Sequence, residues 1–304
     1  MESMSRLVDV LCESSRRNFH NIYDLVAWPE RVEPTRDWFM SPELCSLAGT
    51  EVWDLLSPEA QKRLAFHEAV NFFSLNIHGE SALMQGLAQR LYGLRTRAVS
   101  PYLHHFLDEE NKHCVLFGTF CERYAGKVYP DRKVVSSATI GDAGQADFLF
   151  FAKVLIFEEL VDRFNLAMSK DRRLHPIAVA INHNHHVEEA RHLAFGRRMC
   201  AELWAAGRPA WGPEACAAMR AYLQQFFAVS WKEYYNPDVY RDAGLAAELA
   251  GRWDACDPWA LQHYGWQHPA SRARRISMSE RCMSFLALLG AGPQPENAEH
   301  ERVP

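Results

Sequence analysis

The sequence predicts an all-α protein, a four-helix bundle with additional peripheral helices. Three observations predict it: four long stretches with helical spacing of apolar residues, one long connection at their midpoint, and a near absence of strand signals.

Residues 1–56 mix polar and apolar types around Pro29, Pro34 and Pro42, which suggests a short helix followed by an irregular strap on the body. Regular structure begins at Ser57-Pro58-Glu59, where serine can cap and proline can take the first helical position. Four helical patterns follow, at about 58–92, 100–125, 145–170 and 176–206, each ended by glycine or proline. The link from Gly126 to Gln145 is far longer than the one between the first two patterns. A single long crossover between two short-linked pairs is the connectivity of ferritin-like bundles. Beyond Gly212-Pro213 another helical stretch runs to about 235, then Asn236-Pro237, a segment with Trp253, Trp259 and Trp266, and a last helix near 271–289. The reading is one domain over 1–290: an N-terminal strap (1–56), a metal-binding bundle (57–206) and peripheral helices (207–290). The Pro-, Glu- and Asn-rich tail, 291–304, is expected to be disordered.

At 304 residues, 48% hydrophobic and 23% charged, the chain can bury a full core. A net charge of -5 offers no general electrostatic attraction for nucleic acid or an anionic membrane. The densest basic stretch, Arg272 to Arg275, reads as a solvated helix start. Eight cysteines without a C-x-x-C pair suggest reduced thiols in a cytoplasmic protein. Neither a signal-type apolar region nor a run of about 18 apolar residues is present, so no membrane span is expected.

The chemistry lies in carboxylates that interrupt apolar stripes. With ~100° per residue, His185, Glu189 and His192 fall within roughly 60° on one helix face. Glu110 breaks the stripe of Leu103, Phe106, Cys114, Phe117, Cys121 and Tyr124, with His113 three residues on. Glu80 breaks a stripe on the first helix, and Glu158 one on the third. An unpaired buried carboxylate is costly, so each needs a strong partner. One inward carboxylate per helix, with a histidine three residues after two of them, is the ligand set of di-iron and di-manganese carboxylate bundles. His185 is an additional imidazole beyond the usual six ligands. Glu109 and Glu188 adjoin ligands and are candidates to accept hydrogen bonds from ligating imidazoles, orienting them. Glu159, with Arg163 four residues on, suits an exposed ion pair. His67, His104, His105, His183 and His186 read as surface residues or supports of ligands.

On five motifs, over roughly residues 38–206, the chain resembles the p-aminobenzoate N-oxygenase family. They are Trp38-Phe-Met-Ser-Pro-Glu-Leu44, Asn76-Ile-His-Gly-Glu80, His105-Phe-Leu-Asp-Glu-Glu-Asn-Lys-His113, Phe157-Glu-Glu-Leu-Val-Asp162 and His185-His-Val-Glu-Glu-Ala-Arg-His192. The histidine four residues before the last E-x-x-H is the most specific. The resemblance implies a di-iron centre on Glu80, Glu110, His113, Glu158, His185, Glu189 and His192, the set the stripes also reach. Glu188 departs from the similar motif, which often has aspartate there. The activity implied is N-oxygenation of an arylamine or amino-acid-type amine with O2 in natural-product biosynthesis, to a hydroxylamine, nitroso or nitro product. It further implies two Fe ions, an external electron donor such as a separate reductase, and no flavin or nicotinamide site in this chain. Homodimerisation is one option for assembly. Alternatives are a di-iron oxygenase acting on carbon, by hydroxylation, desaturation or oxidative cleavage, and a ferroxidase or iron-binding bundle without organic substrate. A substrate carboxylate would need a cation near the irons, for which Arg90, Arg95, Arg123 and Lys153 are the candidates.

Overall fold

A computed structural model describes residues 3–132, 141–288 and 290. After α1 (Met4–Arg17), the strap carries a 3-10 turn at Pro42–Leu44 and the short α2 (Glu51–Leu55). The bundle consists of α3 (Pro58–Arg90), α4 (Ser100–Phe120), α5 (Ala143–Met168) and the first part of α6 (Pro176–Lys232). Then come α7 (Pro237–Asp242), α8 (Leu245–Leu249), α9 (Pro258–Gln267) and α10 (Pro269–Leu288). Among the described residues there is no strand, and Trp38 with Leu174 forms an isolated bridge. No helix among them is long and apolar enough to cross a membrane.

Local chemistry sets the helix starts. Ser57 Oγ accepts from the Ala60 amide at 3.3 Å with Pro58 at the first position, and Asp142 Oδ1 accepts from the Gln145 amide at 2.8 Å. His175 caps α6 before Pro176, its Nδ1 accepting from Ile177 N at 3.2 Å. α4 passes at its end into one π-helical turn, Cys121–Ala125, which stops at Gly126 with φ +65°.

The expected break after residue 206 lies further on. α6 runs past Pro209 to a kink at Gly212, whose φ of +77° and ψ of 166° are not helical, and resumes at Pro213. A proline restricts the residue before it to extended ψ, and glycine permits the positive φ needed to redirect the chain.

α3 packs chiefly on α4, and α5 on α6, so the crossover joins two helix pairs. Residues 133–140 of that crossover and the tail 291–304 lie outside the described residues. The strap is tied down by specific bonds: His175 N donates to Trp38 O at 2.8 Å, and Tyr124 Oη donates to Pro29 O at 2.7 Å. The basic stretch at 272–275 departs from its expected solvated role. Arg274 donates to the carbonyls of Glu43, Ser46 and Ala48, and Arg275 stacks on Trp266 at 3.9 Å, while Arg272 is exposed.

Candidate metal centre

Two long helices contribute one carboxylate each, Glu80 from α3 and Glu158 from α5. α4 contributes Glu110 and His113, and α6 contributes His185, Glu189 and His192. All seven side chains meet in the bundle interior, each at most 2% exposed. They form two groups, Glu80 with His113 and His185, and Glu110 with Glu158, Glu189 and His192, whose donor atoms within each group lie within 4.8 Å of one another. The groups adjoin: His185 Nε2 is 2.7 Å from Glu189 Oε1 and 3.4 Å from Glu80 Oε1, and His192 Nδ1 is 2.8 Å from Glu110 Oε1.

The hydrogen bonds show which edge of each imidazole is free. His113 Nε2 is 2.9 Å from Glu188 Oε2, and His192 Nε2 is 2.8 Å from Glu109 Oε2. An ionised carboxylate only accepts, so each of these ring nitrogens carries a proton and Nδ1 of both rings points inward, offering its lone pair once a cation displaces any proton held there. His185 presents the opposite edge. Its Nδ1 is 2.7 Å from Asn165 Nδ2; the amide turned over places its otherwise unpaired Oδ1 there to accept the Nδ1 proton, and Nε2 faces the carboxylates. Arg191 in turn donates to Glu109 at 2.7 Å, and the Cys114 thiol donates to Glu80 Oε2 at 3.3 Å.

Six of the seven residues hold a buried atom with no hydrogen-bond partner: Glu80 Oε1, both oxygens of Glu110, His113 Nδ1, Glu158 Oε1, His185 Nε2 and Glu189 Oε2. Buried polar atoms are rarely left unpaired, and here the orphans all face one another. The donor set of carboxylate oxygens and imidazole nitrogens suits first-row divalent cations, and two such ions would balance the charge of the four carboxylates.

Without cations, protons take up part of that charge. Burial first, then the neighbouring Glu110, raises the Glu80 carboxyl well above its usual range, and burial likewise raises Glu189. Burial works against a charged His113, yet the Glu110 and Glu188 carboxylates prevail and push it up to about 10. Burial also opposes ionisation of Glu110, but His192 outweighs it and lowers the pKa. His185, buried beside His113, falls well below the usual imidazole value. Cation binding at such a site releases protons.

Glu159 corrects the sequence reading. It is 2% exposed and pairs with Arg197 of α6, because α5 turns this residue toward α6 and not toward solvent. His67, His104 and His186 bond to Tyr129, Tyr92 and Asp162 respectively, away from the seven-residue cluster. Sequence reasoning missed Asn165 and the thiol contact of Cys114. Asn165 carried a signal, since seven residues after Glu158 it returns to the same face of α5. Cys114 carried none, because cysteine reads as a small apolar residue in a stripe.

Uncharacterized proteins Rv0885 of Mycobacterium tuberculosis and Mb0909 of Mycobacterium bovis are 29% identical to the chain over 191 residues, 60% of this chain. The match spans 56% of the length of those relatives. Among solved structures, R2-like ligand-binding oxidase variants with an aerobically reconstituted Mn/Fe cofactor share the fold. One aligns at TM-score 0.56 and 14% identity over 96% of this chain and 94% of that one, another at 0.52 and 16% over 91% and 94%. Residues 2–287 match the family model described as p-aminobenzoate N-oxygenase AurF, and with nearly its whole length matched the chain belongs to that family.

Proposed function

We propose that the protein is a non-heme di-iron monooxygenase that uses O2 to oxygenate the nitrogen of an amine. The observation that carries this reading is the convergence of four buried carboxylates and three imidazoles with their unpaired atoms facing inward. In the proposal Glu80, Glu110, His113, Glu158, His185, Glu189 and His192 hold two iron ions. Bound ferrous ions would supply the electrons and open coordination positions that dioxygen activation requires.

The chain's own groups prepare that site. Glu109 and Glu188 hold His192 and His113 in the tautomer that offers Nδ1, and a carboxylate behind an imidazole raises its basicity. Asn165 is neutral, so His185 gains orientation without that added charge. Phe106 stacks on His192 at 4.0 Å and Phe117 meets His185 edge-on at 4.9 Å, which fixes the rings and keeps water from the back of the site. The third imidazole supports nitrogen oxygenation over the carbon-directed and ferroxidase alternatives only through the family, because the histidine four residues before the last E-x-x-H is the motif most specific to the N-oxygenase resemblance.

The test loads the protein with iron, supplies reductant, dioxygen and a panel of aryl and aliphatic amines, and reads products by mass spectrometry. Products that gain oxygen on nitrogen are expected. Products oxidised only at carbon would refute the reading.

A further inference from the structure

Cys114 follows His113 on α4 and is half-buried where α4 meets α3. Its Sγ lies 3.3 Å from Glu80 Oε2 and 4.0 Å from Ile77 O, both on α3. A thiol has one proton to give. Ile77 O already accepts from Ser81 Oγ at 2.6 Å, so the Glu80 oxygen, which is also the nearer, is the acceptor.

Glu80 thereby stands apart from the other three inward carboxylates. Both oxygens of Glu110, Glu158 Oε1 and Glu189 Oε2 are buried without a hydrogen-bond partner. Among the described residues, Glu80 is the one of the four that accepts a hydrogen bond from a side chain outside the seven. Glu110 and Glu189 also face imidazoles of both groups: each has an oxygen 3.7 Å from His113 Nδ1, and their Oε1 atoms lie 2.8 and 3.3 Å from His192 Nδ1. Glu80 Oε1 faces one group only, 3.8 Å from His113 Nδ1 and 3.4 Å from His185 Nε2. The thiol therefore occupies one oxygen of Glu80 and leaves the other for a cation.

A carboxylate holds a cation through one oxygen or two, and the difference is one coordination position. For Oε2 of Glu80 to turn inward, the bond from Cys114 has to break, leaving the thiol without its acceptor. The helix itself has little freedom to shift at this point. The Phe157 ring of α5 lies against Gly79, where a Cβ would be 2.3 Å from it. What freedom remains is in the side-chain torsions of Glu80, and these the thiol restrains. A thiol suits that task because it is a weak, neutral donor: it satisfies the outer oxygen, whereas an ammonium or guanidinium there would draw the carboxylate into an ion pair.

We propose that Cys114 is a positioning residue of the metal centre, whose thiol holds Glu80 to coordination through one oxygen and so keeps a position open at the cation held by Glu80, His113 and His185. This rests on the metal-binding reading above.

The test is azide binding to the full chain, loaded with iron(II) and oxidised in air, followed by the azide-to-iron charge-transfer absorption, with bound iron counted by a chelator. Cys114→Val fills the space without a donor and should weaken azide by about tenfold or more at two irons per chain, because Oε2 turns in and takes the open position. Cys114→Ser keeps a donor and should stay within about threefold of wild type. Where Cys114→Val holds fewer than two irons, Cys114→Ala decides, with the same loss expected. A packing role alone would treat serine and alanine alike. The proposal is overturned if azide binds the variants without a donor as tightly as wild type, if Cys114→Ser loses as much as they do, or if wild type with two irons binds no azide. Loss of iron from both Cys114→Val and Cys114→Ala also overturns it, since the thiol would then be needed to retain the cation. A wild type that holds no iron refutes the metal-binding reading and this proposal with it, whereas two irons and no effect of Cys114 refute the role of the thiol alone.

Discussion

Replacing Glu109 by glutamine tests whether a residue outside the seven donors governs the metal centre. Glu109 is buried, its Oε2 accepting from His192 Nε2 at 2.8 Å and its Oε1 from Arg191 at 2.7 Å. Burial opposes its charge, but His192 and Arg191 prevail and hold its pKa at about 2, so it is ionised throughout the working pH range. Alanine would strand Arg191 and His192 in the interior at a cost of about 3–5 kcal/mol, confounding folding with binding. Glutamine keeps the shape and the acceptor for Nε2–H, removes the charge, and turns its NH2 toward Arg191, which still has the Glu188 carboxylate at 3.6 Å. Loss of such a support costs about 10- to 100-fold in metal affinity, or roughly 1.4–2.7 kcal/mol. The assay is iron(II) titration against a chromophoric chelator, resolved into two stepwise constants. One constant should weaken by that factor in Glu109→Gln, because only the group containing His192 is affected, while the other stays within about twofold. Asp108→Asn is the control, since the neighbouring carboxylate is half exposed and pairs with Lys112. Equal constants in wild type and Glu109→Gln, or an equal loss in Asp108→Asn, would refute the assigned support of His192.

Chelation of bound iron should lower the melting temperature by roughly 10 °C, since two sites held at 100 times their Kd contribute about 5 kcal/mol and each kcal/mol shifts a chain of this size by about 2 °C. Scanning calorimetry with and without chelator checks this, and an unchanged melting temperature would contradict a folded-state metal site. Glu68 supplies a pH test far from the cluster. Burial, against hydrogen bonds from Ser46, raises it to about 7, so its contribution is fully present below the unfolded pKa near 4.5 and is lost as pH rises through 7, up to about 3 kcal/mol. Urea unfolding at pH 5 and 8 should show that slope reduced in Glu68→Gln, and identical slopes would sink the assignment. Gly86→Val should cost about 1–3 kcal/mol by driving a side chain into the Phe150 ring, which lies 2.0 Å from the position of a Cβ. A melting temperature equal to wild type would show that the ring yields freely.

The parts of the fold legible in the sequence were those written as periodicity. Glu80, Glu110 and Glu158 stood out because each carboxylate falls on an otherwise apolar face, and a buried charge demands a partner wherever the helix is placed. His185, Glu189 and His192 stood out because they share one face. Capping chemistry located the start of α3 at Ser57-Pro58. The reach of α6 to Gly212 was less legible, because Gly207 and Pro209 read as punctuation while packing of Trp204 and Trp211 on Phe148 holds the helix together. Glu159 misled for a related reason: Arg163 four residues away offers a local partner, but the helix face it occupies turns toward Arg197.

The sequence by itself determined the fold class, the four bundle helices and the seven inward-facing donors, because helical periodicity is a local property of the chain. Only the tertiary structure decided which donors share a group, which edge of each imidazole faces inward, and that Asn165, Glu188 and Glu109 stand behind the three rings. It also decided that, of the four candidate cations, Arg90 and Arg95 share Asp147 as their partner. These are relations between helices distant in sequence, and hydrogen-bond distance is reached only when packing sets the rotation of one helix against another.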